Sequence, residues 1–263
     1  MKIINVHSHV YPDKIAVRAS EGTGAFYGVK MRHDGSVKNL LETGRRAGIY
    51  RHVVCSVATS PEQVRAINGF ISQTASSHAE FVGFAAMHPD VDDFRREIED
   101  IIDSGLRGIK LHPDFQKFCA DDDKMDALYG AAEGKLPILF HAGDARYDYS
   151  GPKRLARVAK KFPGLVVILA HFGGYTEWDD AERILAGLGE NVYFDTSSAI
   201  SFIGRDRARR LIEVYGENRV LFGVDYPMWD PVEEMERFES LRLSDETREK
   251  ILYKNAAALL KLE

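Results

Sequence analysis

His7 and His9, separated by one serine, close the first apolar run of the chain, Ile3-Ile4-Asn5-Val6. Side chains of a β-strand alternate faces, so both imidazoles point to one side while Val6 and Ser8 point to the other. A neutral imidazole is a common ligand for zinc and related divalent metals, and two on one side make half a metal site. Alone, the pair fits two inert histidines at a strand end equally well; further ligands at matching places decide for chelation.

Such places exist. Later apolar runs end in His88, in Lys110 and His112, in His141, in His171, in Asp195 and in Asp225. His7, His9, His141 and Asp225 supply three imidazoles and a carboxylate, a donor set that suits zinc first and accommodates manganese, iron or cobalt. A divalent metal lowers the pKa of its water from 15.7 to roughly 7. Asp225 is then both a ligand and the group that accepts the proton of that water. His171 is expected either to bind a second metal or to polarise a carbonyl and stabilise the developing oxyanion. Asp195 and His88 are read as a structural acceptor and a loop histidine. His33, His52 and His78 fall outside the strand-end pattern and are read as structural or surface residues.

Those ends must be brought together by the elements behind them. KIINV leads to SVKNLLETGRRAG, where Ser36 is placed to cap a helix and Gly48 to terminate it. HVVCSVA leads to SPEQVRAINGFISQTASSH, with Ser60 as cap and Pro61 at the first helical position. The runs FVGFAAMHP, LRGIKLHP, LPILFHAG, LVVILAHFGG, VYFDTSS and VLFGVDYP each precede a helical segment in the same way, for eight strands and eight helices in all. Strict alternation implies parallel strands joined by right-handed crossovers. Eight repeats predict an α/β fold, a single (β/α)8 or TIM barrel over residues 1–263, whose active site lies at the carboxyl ends of the strands. The stretch from Tyr11 to Asp34 is read as the one long irregular connection, either a lid over the site or a plain surface loop.

Bulk properties agree. With 44% hydrophobic and 29% charged residues the chain has the composition of a globular protein. A net charge of −5 without a basic block argues against nucleic acid as a partner. Cys55 and Cys119 make no disulfide framework and are read as buried thiols of a reducing compartment. No segment has the character of a signal peptide or a membrane span, so no membrane partner and a cytoplasmic location are expected. The partners expected are a small-molecule substrate and, through the outer helices, a second copy in a homodimer.

With NVHSHVYP, GIKLHPDFQ, LFHAG, LAHFGG, LFGVDYP and the closing ILYKNAAALLKL, the chain resembles the amidohydrolase superfamily, in its amidohydrolase-related branch of metal-dependent barrel hydrolases and decarboxylases. The resemblance runs from the first strand to the last helix. It implies metal ligands at His7, His9, His141 and Asp225, with His171 as ligand of a second metal or as a catalytic residue. Binuclear members of the superfamily carry a lysine at the end of strand four whose carbamate bridges two metals, and Lys110 stands there. Lys110 is therefore either that carbamylated ligand or an ammonium that binds a substrate carboxylate at a one-metal site. TatD-type nucleases would carry a glutamate at this place, which sets the chain apart from them.

Two activities follow from the resemblance. The first is hydrolysis of an amide, lactone or ester of a small organic substrate by a metal-activated water. The alternative is nonhydrolytic decarboxylation of an aromatic or enolic carboxylate, with Asp225 or His171 delivering a proton to carbon. A metal-stabilised binding protein without activity is disfavoured, because no ligand of the set is missing. His112, Arg146 and Trp229 are the expected substrate contacts, with Tyr11, Phe172 and Tyr226 beside them, and Arg146 is the group able to clamp a carboxylate in bidentate fashion.

Overall fold

The computed structural model describes residues 1–262. The chain opens with strand β1 (Ile4–His9), followed by helices α1 (Ala16–Tyr27) and α2 (Val37–Arg46). Next come β2 (Arg51–Cys55), α3 (Gln63–Ser77), the split strand β3 (Phe81–Gly83) and β4 (Ala85–Ala86), and α4 (Phe94–Asp103). The middle of the chain holds β5 (Ile109–Leu111), α5 (Pro113–Gln116), α6 (Asp126–Ala132), β6 (Ile138–Phe140), α7 (Pro152–Lys161), β7 (Val167–Leu169) and α8 (Trp178–Leu185). The last part holds β8 (Val192–Asp195), α9 (Ile200–Tyr215), β9 (Val220–Leu221), α10 (Pro231–Glu239), α11 (Asp245–Glu249) and α12 (Asn255–Leu260). Because β3 and β4 are two pieces of one stave broken at Phe84, the nine segments make the eight expected strands.

Every pairing between neighbouring strands is parallel. The last strand returns to the first: the amide of Val6 donates to Phe222 O at 2.9 Å and that of Asp225 to His7 O at 2.9 Å, which closes the barrel. Strands buried on both faces read as continuous apolar runs, and their alternate residues divide cleanly. Ile4, Val6, Val53, Val82, Leu139 and Ile168 pack together inside the barrel. Val54, Ile138, Phe140, Val167 and Leu169 pack outward against the helices. Arg107, just ahead of β5, donates to Leu260 O at 3.2 Å, so α12 lies against the strand-start end and leaves the opposite end open for a site.

Ser36 caps α2 as expected, accepting from the amide of Asn39, and Gly48 just beyond its end has a positive φ of 71°. Three expectations need correction. The segment from Tyr11 to Asp34 is not irregular, since twelve of its residues form α1. Helix α3 begins at Gln63 rather than at Pro61, because Ser60 O takes the amide of Gln63 as a turn ahead of the helix. Cys55 is buried, whereas Cys119 is only half-buried. Among the described residues no helix is long and apolar enough to cross a membrane.

Candidate metal centre

The two opening histidines meet as their spacing requires, with their Nε2 atoms 3.2 Å apart. Strand β1 carries a bulge between Asn5 and Ser8 where it pairs with β2, and bulges re-aim side chains at the cost of ladder bonds. Buried Asn5 replaces those bonds. Its Oδ1 accepts from the amides of His7 at 3.1 Å and Val224 at 3.0 Å, and its Nδ2 donates to Ser8 Oγ at 2.7 Å. Asn5 Nδ2 also reaches Nδ1 of His52 at 3.2 Å, so His52 is structural as expected; burial pushes its pKa down to about 3.

Asp195 ends β8 fully buried, with Oδ2 2.9 Å from His7 Nδ1 and Oδ1 accepting from the amide of His171 at 3.0 Å. An imidazole nitrogen facing a carboxylate carries the proton, which leaves His7 Nε2 as the atom directed at the centre. Burial opposes ionisation of Asp195, but His7, His171 and Ser197 more than offset it and hold the group well below the usual carboxylate range. Asp225 Oδ1 stands 3.5 Å from His7 Nε2 and 3.6 Å from His9 Nε2, while Oδ2 accepts from Ser198 Oγ at 2.7 Å. Burial again opposes its charge, and His7, His171 and His9 keep it ionised.

His171 begins a short 3-10 turn in which His171, Phe172 and Gly173 have φ of 59°, 54° and 80°. Two successive left-handed residues other than glycine are costly, and such strain persists where the surroundings over-determine it. Trp178 Nε1 donates to His171 O at 2.9 Å and Tyr215 Oη to Phe172 O at 3.1 Å, which fastens the turn from two helices. His171 Nδ1 faces Ser197 O at 3.0 Å, and its Nε2 lies 3.1 Å from His141 Nδ1. His141 thus joins the cluster through His171, one step from the compact group of His7, His9 and Asp225.

Lys110 is buried inside the barrel, with Nζ 3.1 Å from His7 Nε2. Burial lowers its pKa, and burial followed by the Lys110 charge lowers that of His9. Burial thus favours the neutral form of His9, whose Nε2 faces the ionised carboxylate of Asp225. Ligands ~2.0–2.1 Å from a tetrahedral metal lie ~3.3 Å from each other, close to the 3.2 to 3.6 Å separations of these atoms. The donor set fits a divalent cation.

A cavity of about 680 Å³ opens onto the cluster, and His7, His9, Lys110, His112, His141, His171 and Asp225 all line it. Sequence reasoning passed over two further residues there. Tyr27, carried in by α1, places its hydroxyl 2.8 Å from His112 Nε2 and 3.4 Å from His141 Nε2. Asp114 accepts from Ser150 Oγ at 2.5 Å through Oδ2 while its buried Oδ1 has no partner. Burial pushes its pKa up to about 7. Asp114, two residues beyond His112, carried a strand-end signal; Tyr27 carried none.

Tyr11 and His112 line the cavity, but Arg146, Trp229, Phe172 and Tyr226 do not. The guanidinium of Arg146 is held by Asp144, with Nε and Nη2 at 2.9 and 2.7 Å, and by Phe26 O at 2.7 Å, so it is a latch between its loop and helix α1 rather than a substrate clamp. Trp229 Nε1 donates to Ser198 Oγ at 2.9 Å and so supports Asp225 from behind. Phe172 is fully buried in the core, and Tyr226 donates to Ser36 O at 2.9 Å. His88 accepts from the amide of Asp90 at 3.2 Å, a loop role as expected.

The amidohydrolase family pattern matches residues 4–262. No curated protein sequence matches the chain. Among solved structures, 5-carboxyvanillate decarboxylase from Sphingomonas paucimobilis superposes with a TM-score of 0.76 at 16% identity, covering 100% of this chain and 99% of that one. A dihydroxybenzoic acid decarboxylase from a Polaromonas species, solved with bound manganese, gives 0.74 at 18% identity over 99% and 97% of the two chains. A candidate 2-pyrone-4,6-dicarboxylic acid hydrolase from Pseudomonas putida gives 0.71 at 19% identity over 99% and 98%. Likenesses at this identity establish the shared barrel.

Proposed function

The chain belongs to the amidohydrolase family, and on that premise we propose that it is a metal-dependent hydrolase that cleaves an amide, lactone or ester bond of a small, uncharged substrate. The observation that carries hydrolysis ahead of decarboxylation is the cavity's charge. No arginine among the described residues lines it. Arg146 is bound to Asp144, and burial disfavours the ammonium form of Lys110. Beyond the metal itself, a carboxylate substrate would find only exposed Lys117 and no arginine.

His7, His9, His141 and Asp225 would hold the metal, zinc in the first instance, as the nitrogen-rich set prefers. When bound, it would polarise the substrate carbonyl and acidify a water molecule. Asp225, ionised and oriented by Ser198, accepts the proton of the attacking water and passes it to the leaving group. His171, fixed through Nδ1, directs Nε2 into the site, where it stabilises charge developing on the carbonyl oxygen or serves a second metal. Lys110 would either donate to the substrate or, carbamylated, help to hold a second metal. The thiols Cys55 and Cys119 suit a reducing compartment, and we place the protein in the cytoplasm.

Elemental analysis of protein purified without chelator, with bicarbonate present, tests the centre. Two metals per chain, falling in Lys110→Ala, mean a carbamate bridge; one metal, unchanged in that variant, leaves Lys110 to the substrate; none overturns the proposal. Incorporation of ¹⁸O from water into product identifies hydrolysis. The second reading, decarboxylation, is favoured by the likeness to the two decarboxylase barrels, and carbon dioxide release without ¹⁸O uptake would establish it instead.

A further inference from the structure

The cavity extends well past the histidine cluster. Its volume of about 680 Å³ is more than four times the ~150 Å³ that accommodates benzene, so a single small ring at the cluster leaves most of it empty. The remainder lies between two helices. Ala19, Gly22 and Phe26 of α1, at spacings of three and four, form one stripe of its wall. Ala66, Ile67 and Phe70 of α3 form the facing stripe. A Cβ built on Gly22 would meet nothing within 4 Å, so the space beside it is open.

Buried charge is absent from this arm. Apart from exposed Lys117, the lysine and carboxylates lining the cavity are Lys110, Asp114 and Asp225, which belong to the strand-end cluster. The polar groups that remain near α1 and α3, such as Thr23, Thr59 and Gln63, are neutral. Burying a charge here would be costly, whereas burying hydrocarbon is favourable.

We propose that the substrate carries an uncharged apolar tail, alkyl or aryl, that lies between α1 and α3 while its carbonyl head reaches the histidine cluster. The placement of the head rests on the hydrolase reading; the tail site stands on the shape and lining of the arm. Small side chains at Ala19, Gly22 and Ala66 set the width of the arm and hence the tail it admits. Ala66 and Gly22 are exposed positions, so enlarging them fills the arm without entering the core.

The test uses N-phenyl-1-naphthylamine, an uncharged fluorescent probe, on the metal-loaded protein. The probe is competed by butyl, octyl and dodecyl alkanols, then by the hydroxamates with the same chains. The expected result is competition that strengthens with chain length toward a limit of about fourfold per added methylene. Ala66→Trp, and Gly22→Leu as a second block, should flatten that dependence for both series while butylhydroxamate binds as before. Affinity independent of chain length in the native protein, or unaltered dependence in both variants, overturns the tail site. A chain-length dependence among alkanols with no advantage for any hydroxamate keeps the tail site and removes the metal-dependent reading. Probe fluorescence that is lost as a dimer forms in sedimentation assigns the arm to a second copy instead and also overturns the proposal.

Discussion

Asp195 and His7, 188 positions apart in sequence, meet at 2.9 Å between Oδ2 and Nδ1, and the same carboxylate takes the amide of His171 through its other oxygen. One buried group therefore sets both the tautomer of a metal-facing imidazole and the start of the strained turn that carries the next. Outer partners of this kind typically contribute about 10- to 100-fold to metal affinity. Asp195→Asn should lower metal affinity by about that factor, measured by competition with a chromophoric chelator. Unchanged affinity would show that the carboxylate only holds the fold.

Tyr27 places one hydroxyl between His112 and His141. His112 Nδ1 accepts from the amide of Phe115 at 3.3 Å, so its Nε2–H donates to the phenol. Tyr27→Phe leaves that donor without a protein partner, at a cost of about 1 kcal/mol and a Tm lower by about 2–4 °C. Because the phenol also faces the cavity, kcat/KM should fall by up to about tenfold. Thermal melts alongside kinetics check both; a melt shifted with kinetics unmoved would confine Tyr27 to packing.

The raised pKa of Asp114 makes stability depend on pH in a stated direction. An ordinary aspartate titrates near 3.9, whereas burial pushes this one up to about 7. Between those values the folded chain holds a proton that the unfolded chain has released. The stabilisation is complete below about pH 4 and is lost as pH rises through about 7, by at most about 4 kcal/mol. Asp114→Asn mimics the protonated form, so the variant should gain on the native protein across that window. Melting curves with the same pH dependence in both proteins would contradict the shift.

Arg146 joins Asp144 to the carbonyl of Phe26, near the end of α1, and its guanidinium carbon lies 4.7 Å from the centre of the Phe26 ring. Arg146→Ala should loosen α1 and leave the proposed metal ligands in place. Hydrogen exchange of α1 amides should accelerate while metal content stays constant. Equal exchange rates would remove the latch role.

Gly143, two residues past His141, has a φ of +80°, and a Cβ there would come within 2.6 Å of the amide nitrogen of Tyr175. Gly143→Ala combines backbone strain with a clash against main chain that cannot swing away. A loss of stability above about 2 kcal/mol is expected, read by chemical denaturation. A near-neutral effect would mean that the loop of Tyr175 moves freely.

Much of the site was legible before any coordinates because its determinants are local. A period of two places His7 and His9 on one side, and the alternation of strand with helix puts His141, His171 and Asp225 at the same end of a barrel. Helix α1 was not legible for a reason also local to it. Its buried positions are Ala16, Ser20 and Gly24, four residues apart but too small to register as an apolar stripe. Gly24 is tight enough that a Cβ would stand 2.6 Å from Val29 O.

What the sequence by itself determined is therefore the frame: eight parallel staves, the end at which polar side chains gather, and the donor types found there. Only the tertiary structure decided which of those side chains face the cavity. Arg146 reaches the carbonyl of Phe26, 120 positions away, and Trp229 turns to Ser198, because a polar group takes the partner that closure of the barrel supplies. Tyr27 reaches His112 and His141 from the end of α1, which Arg146 fastens to Asp144. Such partnerships join positions far apart in the chain, and no periodicity along a single strand or helix encodes them.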